Sequence, residues 1–172
     1  MDCLEAIAGR QSIRQYKAEP VAEQDLIKIL EAGRTAPSAG NLQPCYFVVV
    51  RDSSTRAKLQ EAALGQEHII KAPVVIVVCV DPERSSHYGD IGRNRLCLLD
   101  AANATENMLL AAYALGYGSC WTGGFSNSRV KKLLDIPEAF QVVSLITIGK
   151  AEGTEERRTH RPLEEVVRWD KW

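Results

Sequence analysis

Arg10, Ser12 and Arg14 alternate near the amino terminus. Alternate residues of an extended chain point to the same side, so these three side chains can converge on one anion. A guanidinium offers forked donors to phosphate oxygens, and a hydroxyl adds a further donor. The spacing indicates a phosphate site, and a solvated strand edge with scattered arginines is the alternative that these residues alone leave open.

Two further segments are rich in small residues, and both suit close approach by a flat ligand. Residues 37–44 place small and amide residues between a predicted helix end and a predicted strand, where a simple turn is the alternative. Residues 116–125 contain four glycines after a long predicted helix. They are not a dinucleotide fingerprint, because that motif follows a strand and opens a helix. They indicate a backbone pressed against something planar.

Thiol and metal chemistry have weaker support in the sequence. Cys120 is a candidate nucleophile, but no obvious histidine and acid accompany it, so a packed thiol is favoured over a thiol enzyme. The histidines, His68, His87 and His160, are far apart and no motif links them. We therefore predict no metal site.

Hydrophobic periodicity predicts the elements that must position these residues. Helices are expected over 3–9, 23–34, 53–64, 100–115 and 127–134, and core strands over 46–50, 73–80 and 142–148. An extended segment is expected over 12–16 and a loop over 116–124. These elements predict an α+β fold, an α/β sandwich in which a mixed central β-sheet is flanked by helices.

Two of these elements carry a further expectation. The continuous β-prone run over 46–50 predicts a strand buried on both faces. The helix over 100–115 is apolar nearly all round, which is more than one small core needs to cover. A subunit interface is the simplest explanation for that helix.

Composition limits the possible partners. A chain of 172 residues fits a single domain over 1–172, and its net charge of -1 gives no broad attraction to nucleic acid or to a membrane. The five cysteines are odd in number and widely spaced, which fits reduced thiols. The start of the chain lacks a signal-peptide pattern, and no apolar run reaches about 18 residues. We expect a cytoplasmic protein that binds a small molecule.

Residues 10–14, 36–44 and 116–125, in this order and spacing, resemble the nitroreductase family of FMN enzymes. Residues 161–166 resemble the last motif of that family, so the resemblance covers essentially the whole chain. It implies a nitroreductase-like fold and an intertwined homodimer with FMN at the subunit interface.

The resemblance also implies a role for each motif. Arg10, Gln11 and Ser12 would hold the phosphate and ribityl end of FMN. Arg14 would reach the pyrimidine edge of the flavin ring, where a cation stabilises the charge that builds on reduction. The other subunit would close over the same flavin with four residues, Pro37, Ser38, Ala39 and Asn41.

Two more groups complete the implied site. The residues beside the ring, with backbone N–H groups near flavin N5, would be Trp121, Thr122, Gly123 and Gly124. A side chain there would obstruct approach to the ring, which suits glycine. Arg158 and Arg161 would reach the phosphate from the carboxyl-terminal region.

The chain departs from the family pattern in several places. Cys45 stands where tryptophan is common, Gln11 replaces a common arginine, and His160 replaces another. Residues 85–95 are short where larger members insert helices over the flavin, which predicts a more open site. These departures leave the substrate as the least specified part of the prediction.

The resemblance implies a ping-pong reaction. NADH or NADPH would deliver hydride to FMN, and a small electron-poor acceptor such as a nitroaromatic, a quinone or a flavin would then take it. The cofactor does the chemistry, so no side chain need act as an obligatory acid or base. An FMN-binding storage or sensing protein with little turnover is the alternative.

Overall fold

The structure, a computed structural model, describes residues 1–153, 156 and 159–172. Along the described chain the helices and strands follow in the order α1 (Cys3–Gly9), α2 (Glu23–Arg34), β1 (Cys45–Val50), α3 (Ser53–Ala62), α4 (His68–Lys71), β2 (Val74–Val80), α5 (Gly89–Ile91), α6 (Cys97–Ala114), β3 (Gly118–Thr122), α7 (Asn127–Leu133), β4 (Gln141–Gly149) and α8 (Leu163–Val166). Short 3-10 turns cover Ala39–Asn41 and Pro82–Tyr88, and a π-helical turn covers Gly92–Leu96.

The strands form one sheet in the order β1-β2-β4-β3, and each neighbouring pair is antiparallel. In the middle of the sheet, Val77 lies opposite Val48 on one side and Leu145 on the other. The four strands are therefore antiparallel rather than mixed as predicted, and an isolated parallel bridge joins Ser119 to Ser12, which lies outside them. The α+β class, with a central sheet flanked by helices, is confirmed.

Every residue of strand β2 is buried, because the strand lies at the centre of the fold. Alternate side chains point to opposite faces of a sheet. Val74, Ile76 and Val78 belong to a core with α2 and α6, whereas Val75 and Val77 belong to a second core with α3 and α7. Full burial of such a side chain contributes roughly 1.5–3 kcal/mol, so the two cores hold the helices on both faces.

Helix α2 has the predicted bounds and covers one face of the sheet. Leu26 and Ile29 are buried, as its helical spacing requires. A β-carbon added to Gly33 would lie 2.8 Å from the Met108 side chain, so glycine lets α2 approach α6 closely. The second half of α6 therefore lies beside the end of α2, and the loop that follows α2 runs beside the first turns of α6.

Two predictions for strands were wrong. Strand β1 is an edge strand rather than a strand buried on both faces, and Tyr46 is 43% exposed. A continuous apolar run does not show whether a second neighbour is present, which explains the error. The loop expected over 116–124 contains strand β3, because Gly118 and Ser119 are buried beside Ile13 and the glycine there permits that contact.

Among the described residues, no helix combines the length and apolar character needed to cross a lipid bilayer.

Helix α6, the longest helix described, starts three residues earlier than predicted and buries one stripe against the sheet. Leu99 on this helix is 51% exposed. Other parts of its surface contact α2, the loop that follows α2, and Arg10.

Candidate active site

Residues 10–14, here called the arginine strip, lie along the outer edge of β3. The Ile13 backbone N–H donates to the Ser119 carbonyl oxygen at 2.9 Å. Ile13 is buried, and a β-carbon added to Gly118 would lie 2.8 Å from its side chain. Because the Ser12 bridge is parallel, the strip runs in the direction of β3, with Arg14 towards Trp121 and Arg10 away from it.

Arg10 pairs with an acidic residue on α6. Its Nε lies 3.5 Å from Oε1 of Glu106, and both side chains are partly exposed. Because this contact uses Nε, the two Nη groups keep the forked donors that suit a phosphate. Gln11 and Ser12 are half-buried and Arg14 is exposed, so the strip presents polar groups next to β3.

Residues 121–124, here called the strand-end segment, continue from β3 into open surface. Trp121, Gly123 and Gly124 are exposed, whereas Thr122 is buried. A β-carbon added to Gly123 would meet no atom of the described chain within 4 Å. Packing within the described chain therefore does not require glycine at position 123, whereas a glycine there would let a ligand approach the backbone closely.

Residues 37–41, here called the proline loop, are anchored by the first turns of α6. The Ala39 backbone N–H donates to Oδ1 of Asp100 at 3.0 Å, and Nδ2 of Asn103 donates to the Pro37 carbonyl oxygen at 3.4 Å. Asn41 adopts a left-handed conformation with φ of 54°, which asparagine tolerates better than most residues. The loop is thus a fixed main-chain surface.

Asp100 is a buried carboxyl beneath this loop. Its Oδ2 is buried and has no hydrogen-bond partner among the described residues, and burial raises the pKa of the carboxyl above its ordinary value. The pKa of the Cys45 thiol is raised to about 12, mainly by burial and to a smaller extent by the nearby Asp100 and Cys97. Cys45 is therefore a protonated packing residue, and it lines a cavity of about 270 Å³ beside Ser38.

The structure brings some of the predicted residues together and leaves others apart. The arginine strip and the strand-end segment both lie at β3, whereas the proline loop is attached to the first turns of α6. Arg161 is exposed just before α8. Arg158 lies outside the described residues.

The described residues give no support to a thiol enzyme that uses Cys120 or to a metal site. Cys120 is only 2% exposed, so its thiol is packed and out of reach of an external substrate. Among residues 1–153, 156 and 159–172, no three His, Cys, Asp or Glu side chains are grouped as a metal site would require.

Four residues that support the site were not predicted from the sequence. Gln66 and His68 contact the strand-end segment, Asp100 holds the proline loop, and Glu106 pairs with Arg10. The only sequence signal was the position of Asp100 at the predicted start of a helix, since the other three contacts join residues far apart in the chain. A carboxyl in the first turn of a helix is ordinary, so that signal was not specific.

Comparison with known proteins identifies the family. The profile of the nitroreductase family matches residues 7–70 and 62–150. The chain is similar to an Archaeoglobus fulgidus protein whose name couples NADH dehydrogenase with NAD(P)H nitroreductase, at 40% identity over 86% of this chain and 84% of that protein. It is 36% identical to a Thermus thermophilus protein named NADH dehydrogenase, over 98% of this chain and 96% of the relative.

A solved structure gives the same result for the fold. The chain superposes on NADPH:FMN oxidoreductase from Vibrio harveyi, solved in complex with NAD+, with a TM-score of 0.90. The match covers 98% of this chain and 77% of that structure, at 28% identity. The arrangement of strip, strand-end segment and loop thus occurs in a fold known from flavin enzymes, and the chain belongs to the nitroreductase family.

Proposed function

We propose that this chain binds FMN between two copies of itself and transfers hydride from NADH or NADPH to a small electron-poor acceptor. As a member of the nitroreductase family, with relatives named as NAD(P)H oxidoreductases, the chain is an NAD(P)H-dependent oxidoreductase. The observation that carries the proposal is the arginine strip, which runs along β3 towards the strand-end segment, where a β-carbon on Gly123 would meet no described atom within 4 Å.

The phosphate end of FMN fits the amino-terminal half of the strip. Arg10 offers its Nη groups, and the half-buried Gln11 and Ser12 add an amide and a hydroxyl within two residues. Charge-assisted hydrogen bonds of this kind are about twice as strong as neutral ones. Arg161 lies in the carboxyl-terminal region assigned to further phosphate contacts, together with Arg158.

The ring end of FMN fits the other end of the strip. Because the bridge between Ser12 and Ser119 is parallel, the chain runs from Ser12 to Arg14 in the direction of Trp121. The Arg14 guanidinium and the strand-end segment would then lie at the same end of FMN. Arg14 would stabilise negative charge on the pyrimidine edge, and Trp121, Thr122, Gly123 and Gly124 would offer main-chain donors beside the ring. When bound, FMN supplies the hydride chemistry at N5, which we propose proceeds in a ping-pong order.

A second copy would supply the proline loop. Pro37, Ser38, Ala39 and Asn41 form a fixed surface anchored on α6, which suits packing over a flavin held by the partner's strip. Large apolar side chains at both chain ends are also exposed in the single chain, namely Leu4, Ile7, Leu163, Trp169 and Trp172. Exposed apolar surface on this scale is typical of a protein interface, which supports an intertwined homodimer built from one domain over 1–172.

A visible absorption spectrum of the purified protein, combined with native mass spectrometry, tests the proposal. We expect a flavin spectrum and a mass equal to two chains and two FMN molecules. Anaerobic mixing with NADH or NADPH should bleach the flavin, and adding a nitroaromatic or a quinone should restore its colour. A protein that stays yellow would instead be a storage or sensing protein, and a chain that binds no FMN would contradict the proposal.

A further inference from the structure

Gln66, which precedes α4, and His68, the first residue of α4, both contact the strand-end segment. Nε2 of Gln66 donates to the Gly124 carbonyl oxygen at 2.9 Å. Nε2 of His68 and Oγ1 of Thr122 share a hydrogen bond of 2.7 Å. The two contacts hold the residues on either side of Gly123.

The His68 contact is in a dry and rigid part of the protein. His68 is 5% exposed and Thr122 is 2% exposed. The neighbouring Ile69 is fully buried in the core, and the Ala72 backbone N–H donates to the His68 carbonyl oxygen at 3.0 Å. A hydrogen bond in such surroundings is electrostatically stronger than one in water, so it can fix the end of β3.

Gly123 and Gly124 have no side chains that could fix their own orientation. Glycine reaches a wider range of backbone conformations than any other residue, so the direction of its peptide N–H depends on its neighbours. The Gln66 and His68 contacts restrict the segment on both sides of Gly123. They supply the rigidity that the two glycines lack.

We propose that Gln66 and His68 are positioning residues that fix the peptide groups of Gly123 and Gly124 for hydride transfer to the bound flavin. This inference rests on the proposed function, in which those peptides lie beside flavin N5. A peptide N–H directed at N5 withdraws electron density from the atom that accepts the hydride. Such a donor is effective only if it is oriented before the reaction.

Removal of the Thr122 hydroxyl is the sharpest test, because valine keeps the shape of threonine. We expect Thr122→Val to bind FMN with wild-type stoichiometry but to reduce it about tenfold more slowly at saturating NADH, since small losses of orientation cost rate. The apparent dissociation constant for NADH should change little. Thr122→Ser, which keeps the hydroxyl, should restore the rate.

A double variant identifies His68 as the partner. If one hydrogen bond is responsible, His68→Phe combined with Thr122→Val should be no slower than the slower single variant. Gln66→Ala should slow flavin reduction independently, because it releases Gly124 rather than Thr122. Glu67→Gln is the matched control, since Glu67 lies between the two positioning residues and pairs with Lys71 at the surface.

The outcomes separate this inference from the proposed function. A Thr122→Val protein with full FMN and a wild-type reduction rate would overturn the inference alone. A Thr122→Val protein that loses FMN would also overturn it, because the contact would then support binding rather than orientation. A wild-type protein that never binds FMN would overturn both.

Discussion

The arginine strip and the proline loop contribute to the candidate site in different ways. The strip presents charged side chains, and its backbone is attached to the edge of β3 through Ile13. The loop presents main-chain groups, and a buried carboxyl, Asp100, holds it from beneath. A strip residue can therefore be tested by removing a charge, whereas the loop is tested by removing its support.

The largest expected effect comes from the strip. Arg10→Ala should weaken FMN binding about 100-fold, because hydrogen bonds to charged groups contribute roughly 1.5–3 kcal/mol each. Titration of the apoprotein with FMN, followed by fluorescence quenching, measures the change. Arg129→Ala, which removes an exposed arginine on α7, is the control. Equal affinities for FMN in the two variants would remove Arg10 from the phosphate site.

The next largest effect should come from replacing Gly118, where the strip packs against β3. In Gly118→Ala, the new β-carbon would lie 2.8 Å from Ile13, and such overpacking lowers the free energy of unfolding by about 1–3 kcal/mol. Urea denaturation measures this loss. Gly123→Ala has open space around its β-carbon in the described chain, so its free energy of unfolding should match wild type. A stable Gly118→Ala protein would show that the strip tolerates displacement.

Replacing Asp100 should weaken the attachment of the proline loop to α6. Asp100→Ala leaves the partly buried Ala39 N–H without its acceptor, at a cost of about 1–2 kcal/mol in the free energy of unfolding. Asp100→Asn keeps an acceptor and should be better tolerated. A loss in Asp100→Asn as large as that in Asp100→Ala would show that the charge, rather than the acceptor, holds the loop.

The raised pKa of Asp100 also predicts that the free energy of unfolding depends on pH. Burial raises the pKa of Asp100 above its ordinary 3.8, so the folded protein retains this proton more strongly than the unfolded chain. The free energy of unfolding should therefore fall as pH rises from about 4 to the raised pKa, and this contribution should be constant above it. Urea titrations across that range should show this slope in the difference between wild type and Asp100→Asn, because every other carboxyl titrates in both proteins.

The smallest effect should come from Glu106. Its ion pair with Arg10 is partly exposed, and such pairs contribute only about 0–1 kcal/mol. Glu106→Gln should therefore change FMN affinity by less than about fivefold. A loss comparable to that of Arg10→Ala, measured in the same titration, would mean that Glu106 is essential for orienting the guanidinium.

The strip was predictable from sequence, whereas most of its supports were not. Alternation of Arg10, Ser12 and Arg14 predicted an extended segment with one polar side, which the structure has, while the phosphate site itself stays a prediction. The bounds of α2 were predicted in full, since its apolar spacing is unambiguous. His68 and Glu106 carry no local signal, because their role depends on Thr122 and Arg10, which lie far away in the sequence.

The strand errors have a common physical cause. Glycines 116, 118, 123 and 124 suggested a loop, yet Gly118 belongs to β3 because Ile13 packs where its side chain would be. The run over 46–50 is apolar enough for a central strand, but its place in the sheet depends on which strands are its neighbours. Pairing partners are a property of the whole chain, and short-range patterns do not contain them.

The exposed tryptophans give the protein an optical reporter. Trp169 and Trp172 are 84% and 102% exposed, and Trp121 is 36% exposed. An isolated chain should therefore emit at the long wavelengths of indole in water. Association that covers the tail would shift the emission to shorter wavelengths, and a flavin within energy-transfer distance would quench it, so dilution and cofactor release can be followed without a label.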